Sequence, residues 1–425
     1  MEKPKPNPIK DKLILAPMVR INTIPFRLLC KKYQCDITFT EEIIAKKLMN
    51  TERYFNKDLQ TIDFFSSKDN CLVLRTLTSE KDSLILQLGA SNSNDAIKAA
   101  EIVINDIIGI DLNMGCPKHF STHGNMGSTL LNKPEIAEEI LIGLRNKFPN
   151  KLISCKIRLL NDWDKFKELI EKIQNTGIDF FTIHLRYKDQ NSKNPALWNK
   201  INDIKQITKI PFVINGDIFV PKDIQILKKL SEDSGFMIGR GAIHNPKLFE
   251  DFKNTFEDLT LVSFQKDDKN VINNNNNDNE KDDKEKNINK NDKRDNNDNL
   301  CKKDPNEKSV DDIQISVKLT RAIDKKYNGV KIDIIPLIKE YIELAIRYGN
   351  MFGNTKFVVL SILKTHKKEM AIFQKIQTFK YYDDLIKLFE MEDIYNKLLE
   401  ENPSLGKYLK TNSENNNENI DKKKK

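Results

Sequence analysis

The chain has 425 residues, enough for two domains with ample core, and 70 Lys+Arg against 62 Asp+Glu give it a net charge of +8. That balance is modest for the size and allows a polyanionic partner without demanding one. No run approaches the roughly 18 apolar residues that span a bilayer, and six cysteines with no C-x-x-C pair argue against a disulfide framework or a zinc site.

Met1 to Lys10 is polar and proline-containing, with no apolar stretch of a signal peptide, so a cytoplasmic, reducing setting is expected. Residues 11–262 are ordinary α/β sequence with eight short β-like runs. These are Leu13–Ala16, Ile37–Phe39, Leu84–Gln87, Ile107–Leu112, Leu152–Lys156, Phe180–His184, Phe212–Asn215 and Gly235–Ile238. Between them Asp95–Asn105, Glu135–Lys147 and Lys165–Gln174 carry helical spacing. Eight β-α units in this length predict an α/β TIM (β/α)8 barrel. A doubly wound sheet is the alternative, disfavoured because no Gly-rich dinucleotide turn follows the first strand.

Residues 265–312 turn into Asn, Asp and Lys repeats with little to bury, so a disordered low-complexity insert is expected there. Its mixed charges argue against a dedicated RNA-binding arm. Helical periodicity returns over 315–405, with Leu337, Tyr341, Leu344 and Ala345 on one face and Leu385, Leu388 and Phe389 on another. A small all-α domain is predicted. Residues 411–425 form a polar tail ending in four lysines, expected to be disordered.

A barrel places its chemistry at the carboxyl ends of the strands. Those ends read Ala16-Pro17-Met18, Gln87, Asn113 followed by Cys116, Lys156 with Arg158, His184, Asn215-Gly216-Asp217 and Gly239-Arg240-Gly241. Cys116 sits in a Gly/Pro turn just past a strand, where a thiol faces a cavity and can serve as acid or nucleophile. The plainer reading, a small buried hydrophobe, is the usual fate of a cysteine. The glycines after strands seven and eight, with the Arg240 fork, are suited to phosphate. Lys156, His184 and Gln87 inside the rim suit the ring of a phosphorylated planar cofactor such as a flavin, with Pro17 and Met18 offering apolar surface to its face. Each residue alone has a dull explanation, since a strand-end lysine is usually a solvated rim charge. Their recurrence at one end of one barrel is harder to dismiss.

Taken in order, Leu15-Ala16-Pro17-Met18-Val19-Arg20, Gln87-Leu88-Gly89, Asn113-Met114-Gly115-Cys116-Pro117, Cys155-Lys156-Ile157-Arg158, Ile183-His184 and Asn215-Gly216-Asp217 resemble the tRNA-dihydrouridine synthases. Asn113 to Leu131, including Lys118, Ser121-Thr122 and Gly124-Asn125-Met126-Gly127, resembles the eukaryotic branch acting at D-loop position 20, as do Arg347-Tyr348 and Asn354-Thr355-Lys356. The resemblance implies an FMN-dependent barrel followed by a helical tRNA-binding domain. It implies reduction of the uridine C5–C6 double bond, with NADPH reloading the flavin; NADH stays open. By the same match Cys116 protonates C5, while Pro17, Met18, Val19, Gln87, Lys156, His184, Asn215, Gly216, Asp217, Gly239 and Arg240 hold FMN. Asn113, Arg158 and Lys118 would face the uracil side, and Arg347 and Lys356 the tRNA. The Asn-rich insert departs from the family pattern. A monomer with no obligate protein or membrane partner is expected. Two other readings stay on the table: a flavin barrel acting on a free pyrimidine or other small molecule, and a non-catalytic RNA-binding protein.

Overall fold

Every one of the eight apolar runs forms a strand, and the eight strands close on themselves. In chain order the strands are β1 (Leu13–Leu15), β2 (Ile37–Ile44), β3 (Glu52–Asn56), β4 (Thr61–Ser66), β5 (Cys71–Thr76), β6 (Leu84–Gly89), β7 (Gly109–Asn113), β8 (Leu152–Leu159), β9 (Phe180–Tyr187), β10 (Phe212–Asn215) and β11 (Gly235–Ile238). The computed structural model describes residues 6–118, 124–255 and 332–409. The closed barrel runs β1-β11-β10-β9-β8-β7-β6-β2, with each of these neighbours parallel.

Helices Ser93–Val103, Pro134–Lys147, Trp163–Gln174 and Pro221–Leu230 lie between strands, each burying one apolar stripe. Their starts are written locally. The Asn92 side chain accepts from the Asp95 amide, Asp162 accepts from those of Asp164 and Lys165, and prolines open the other two.

Strand alternation divides the barrel interior into tiers. Ile14, Phe39, Ile85, Phe180, Val213 and Met237 pack with Ile9 into an apolar cluster separate from the main core. Gln87, Asp111 and Ser154 sit in register across β6, β7 and β8 as a buried polar row. Two residues further along their strands come Asn113 and Lys156, at the carboxyl end.

Sequence periodicity marks no element between the second and third barrel strands, but β3, β4 and β5 form an antiparallel three-stranded sheet there. Asp63, at the centre of it and fully buried, accepts hydrogen bonds from Arg75, Thr61 and Asn56. Burial alone would raise its pKa, but the Arg75 fork and charge outweigh that and hold it below the ordinary value.

The predicted C-terminal helices are present as Ile334–Arg347, Phe352–Leu363, Met370–Gln377, Tyr382–Leu388, Glu392–Glu401 and Leu405–Leu409. The first buries Leu337, Ile338, Tyr341, Ile342 and Ala345 along one side, packing against the barrel helix Ile24–Lys32. Phe26 meets Tyr341 edge-on at 6.4 Å. Polar ties border this seam: the Tyr33 hydroxyl donates to Glu340, Arg75 Nη1 to the Tyr348 carbonyl at 2.8 Å, and His366 Nε2 to the His244 carbonyl at 2.8 Å. One continuous apolar cluster runs from the barrel's outer layer into the helices. The expected insert over 265–312 and the tail over 411–425 lie outside the described residues, and the helical region is described from 332 onward. Among the described residues no helix is long and apolar enough to cross a membrane.

Candidate active site

A cavity of about 290 Å³ opens at the carboxyl ends of β1 and β8–β11. Its wall brings together Pro17, Met18, Lys156, Arg158, His184, Asn215, Gly216, Asp217, Gly239 and Arg240, ten of the residues expected from sequence. Ala16, Ile218, Phe219 and Met237 add apolar surface. Lys156, Arg158, Arg186 and Arg240 stand against the single carboxylate of Asp217, so the lining is strongly cationic. Such a cleft favours an anionic ligand with an apolar face.

Asp217 organises one wall. Arg186 Nη2 reaches both of its oxygens, at 2.5 and 2.6 Å, Arg240 pairs with the same carboxylate, and the Ala196 amide donates to it at 2.7 Å. Asp217 and Gly216 both have positive φ, 56° and 130°. At Gly216 a side chain would also run into Ala196, its Cβ only 2.8 Å away. Gly239 is different: a Cβ there would lie 3.5 Å from Ala16 and 3.6 Å from Met18 without a clash. The missing side chain at Gly239 therefore leaves cavity volume for a ligand and is not required by protein packing.

The charges tune one another. Burial, then the neighbouring Arg158, pulls the Lys156 pKa down to about 8, while Asp111 and Cys116 oppose the shift. Burial and the cations Lys156, Arg158, Arg186 and Arg240 hold His184 well below its ordinary value, so its imidazole is neutral. Asp111, fully buried under the cavity, accepts from Gln87 Nε2 at 2.8 Å and Ser154 Oγ at 2.7 Å. Burial pushes its pKa up to about 6 despite those bonds and the charge of Lys156.

The remaining expected residues lie around the cavity or away from it. Gln87 is buried in the polar row with its amide N–H turned to Asp111. Asn113 is buried and folds the next turn: its Oδ1 accepts from the amides of Gly115 at 2.9 Å and Cys116 at 3.1 Å. That turn leaves Cys116 half-buried, with its carbonyl accepting from Ser128. A negative charge on its sulfur would favour the charged forms of Lys156 and Arg158. Arg158 Nη1 donates to the carbonyls of Tyr187 and Gln190. Val19 is exposed in the loop after Met18, and Lys118 is exposed next to residues outside the described set. In the helical region Arg347 pairs with Glu343 and Glu401, while Lys356 Nζ donates to the carbonyls of Gln377 and Phe379, each at 2.7 Å.

Two residues central to this geometry, Arg186 and Asp111, were absent from the expected set. Both are charges inside strands, a pattern that reads as edge or surface. The available signal was the two-residue period, which puts Arg186 on the face of His184 and Asp111 on the face of Asn113.

A family model described as dihydrouridine synthase matches residues 14–318. The chain is 36% identical over 249 residues to a tRNA-dihydrouridine(20) synthase of Schizosaccharomyces pombe, an alignment covering 56% of this chain and 52% of that one. It is 35% identical over 263 residues to the Saccharomyces cerevisiae tRNA-dihydrouridine(20) synthase, covering 58% and 68%. A human tRNA-dihydrouridine(20a/20b) synthase-like protein is 30% identical over 244 residues, covering 57% and 72%. The alignment thus spans only about half the length of the fission-yeast relative.

Proposed function

Because the chain belongs to the dihydrouridine synthase family, we propose that it reduces the C5–C6 double bond of a D-loop uridine in tRNA to dihydrouridine, using FMN reloaded by NADPH. The observation that carries this reading is the cationic, apolar-walled cavity beside the turn that presents Cys116. The cavity's donor set fits FMN: cations for a phosphate and a polarised ring edge, apolar surface for the ring face, and space left by Gly239.

On this reading Asn215, Gly216, Gly239 and Arg240 hold the phosphate end, with Asp217 fixing the Arg240 fork. Lys156 and His184 address the polar edge of the ring, with Gln87 set behind them in the buried row through its bond to Asp111, and Pro17 and Met18 border its face, with Val19 in the loop beyond. When bound and reduced, the flavin supplies the hydride to C6. Cys116 gives the proton to C5, as a general acid. Asn113 sets the turn that aims Cys116, and Arg158 and Lys118 flank the uracil. The target base leaves the tRNA stack to reach this pocket, at a cost of a few kcal/mol. The tRNA body then rests on the helical region. Arg347 meets phosphates there, and Lys356 contributes the ammonium donor left after its two carbonyl bonds.

The test is a mass-based dihydrouridine assay on unmodified tRNA transcripts with purified protein, FMN and NADPH, mapped to position. A D-loop product is expected. Cys116→Ala is expected to keep its flavin and lose turnover by about 10²–10⁴-fold. Protein that binds FMN and oxidises NADPH but leaves every tRNA uridine intact would overturn the proposal in favour of a small-molecule substrate.

A further inference from the structure

Among the described residues the ring nitrogens of His184 meet one side chain, and that contact fixes their chemistry. Arg186 follows it by two residues on β9, with its side chain only 2% exposed. Arg186 Nη2 is clamped by both oxygens of Asp217, its Nε donates to the Asn194 carbonyl at 2.7 Å, and its Nη1 lies 3.0 Å from His184 Nε2. A guanidinium is a donor only and keeps its proton in any folded protein. Nη1 therefore donates and Nε2 accepts. An imidazole that accepts at Nε2 is neutral and carries its single proton on Nδ1.

The clamp has little room to give way. Asp217 is itself fixed by the Ala196 amide and by Arg240, so Arg186 cannot turn without giving up both of its bonds to a buried carboxylate that stays in place. The Cδ2 edge of the ring faces Gly216, whose hypothetical Cβ would lie 3.5 Å away. Nδ1, on the opposite edge, has no hydrogen-bond partner among the described residues, and the ring lines the cavity.

The geometry points to Arg186 as a positioning residue that locks His184 in its neutral Nδ1–H form, so that the cavity offers a fixed hydrogen-bond donor to an acceptor oxygen of its ligand. The groups acting on the ring are Lys156, Arg158, Arg186 and Arg240, with Asp217 behind Arg186. A second ring proton would have to break the Arg186 contact and add a cation to this group. The donor therefore stays constant in acid as in base. Only the identity of the acceptor rests on the flavin reading; the lock itself is a property of the protein.

The test uses full-length protein labelled with ¹⁵N in its histidine rings, with His184 assigned by loss of its signals in His184→Asn. Two-bond proton–nitrogen spectra are expected to show a protonated Nδ1 and a bare Nε2, unchanged from about pH 5.5 to 8.5, the range in which an ordinary histidine titrates. Wild-type protein with an Nε2–H ring or an imidazolium at neutral pH overturns the lock, whatever the variants do. Arg186→Met is expected to release the ring into mixed tautomers. A second arm measures FMN affinity by flavin fluorescence. His184→Asn, whose amide nitrogen sits near the Nδ1 position, is expected to bind within a few-fold of wild type. His184→Gln, which mimics Nε2, is expected to bind about tenfold more weakly, equivalent to about 1.4 kcal/mol. The reverse order overturns the proposal. The expected spectra together with unchanged FMN affinity in both variants would uphold the lock and remove the flavin from this cavity.

Discussion

Asp111 holds a carboxyl where the barrel gives it no water. Its folded-state pKa of about 6 lies above the unfolded value of about 3.9. Between those two values the folded state binds more protons than the unfolded one, so this group's contribution to stability falls as pH rises through that window. Asp111→Asn abolishes the titration while keeping an acceptor for one of the two donors, Gln87 and Ser154. The Tm difference between Asp111→Asn and its parent should therefore shift in the variant's favour between about pH 4 and pH 6 and level off above. A difference that does not change with pH would show that Asp111 is already neutral or already ionised throughout. At this scale the sequence was most readable at strand ends. Lys156, His184 and Asn215 stand where a barrel strand stops being apolar, and that transition is visible in one dimension. Asp111 and Arg186 take their meaning from neighbours on other strands, and strand register is not written locally.

At the scale of elements, the barrel strands were legible because each is a short apolar run bounded by polar residues. The sheet β3–β5 was not. Four of the five β3 residues are exposed, so Glu52-Arg53-Tyr54-Phe55 shows no buried alternation, and the centre of β4 is a charged residue. What makes β4 a strand is Asp63, whose partners Arg75 and Asn56 arrive from β5 and β3. Arg75 also carries the bond to the Tyr348 carbonyl, tying the sheet to the helices. Arg75→Met should leave the Asp63 carboxylate buried and without its cation, at a loss of about 3–5 kcal/mol in urea unfolding. Adding Asp63→Asn should recover much of that loss, because the stranded charge goes too. A double variant no better than Arg75→Met would mean that the Tyr348 tie, and not the ion pair, is the main contribution.

For the molecule as a whole, the barrel and the helices share a single apolar cluster, in which Phe26 and Leu29 of the barrel pack with Ile338, Tyr341 and Ile342. Separate melting of two such halves would expose that seam to water, so one main calorimetric transition is expected. Ile338→Asp places a charge in the seam and should lower that transition as a unit, the loss exceeding about 4 kcal/mol. Two resolved transitions, with only the helical one displaced, would show that the helices fold independently. The division into a barrel and a following helical region was visible in composition alone, but the intimacy of their contact was not, because apolar spacing marks a buried face without naming what covers it.

The small sheet that Arg75 ties to the Tyr348 carbonyl is also bonded, through Asp58, to the last helices, and this bears on how the chain is made. Asp58 lies between β3 and β4, and its partners are Asn402, Lys407 and Tyr408, 344 to 350 residues later. At roughly 5–20 residues per second, a ribosome needs about 20–70 s to pass from one to the other. Throughout that interval this edge of the small sheet lacks Asn402, Lys407 and Tyr408, and Arg75 lacks the Tyr348 carbonyl that it bonds in the finished protein. The pace of synthesis, and not only the final energy, decides how long this surface is open to wrong partners.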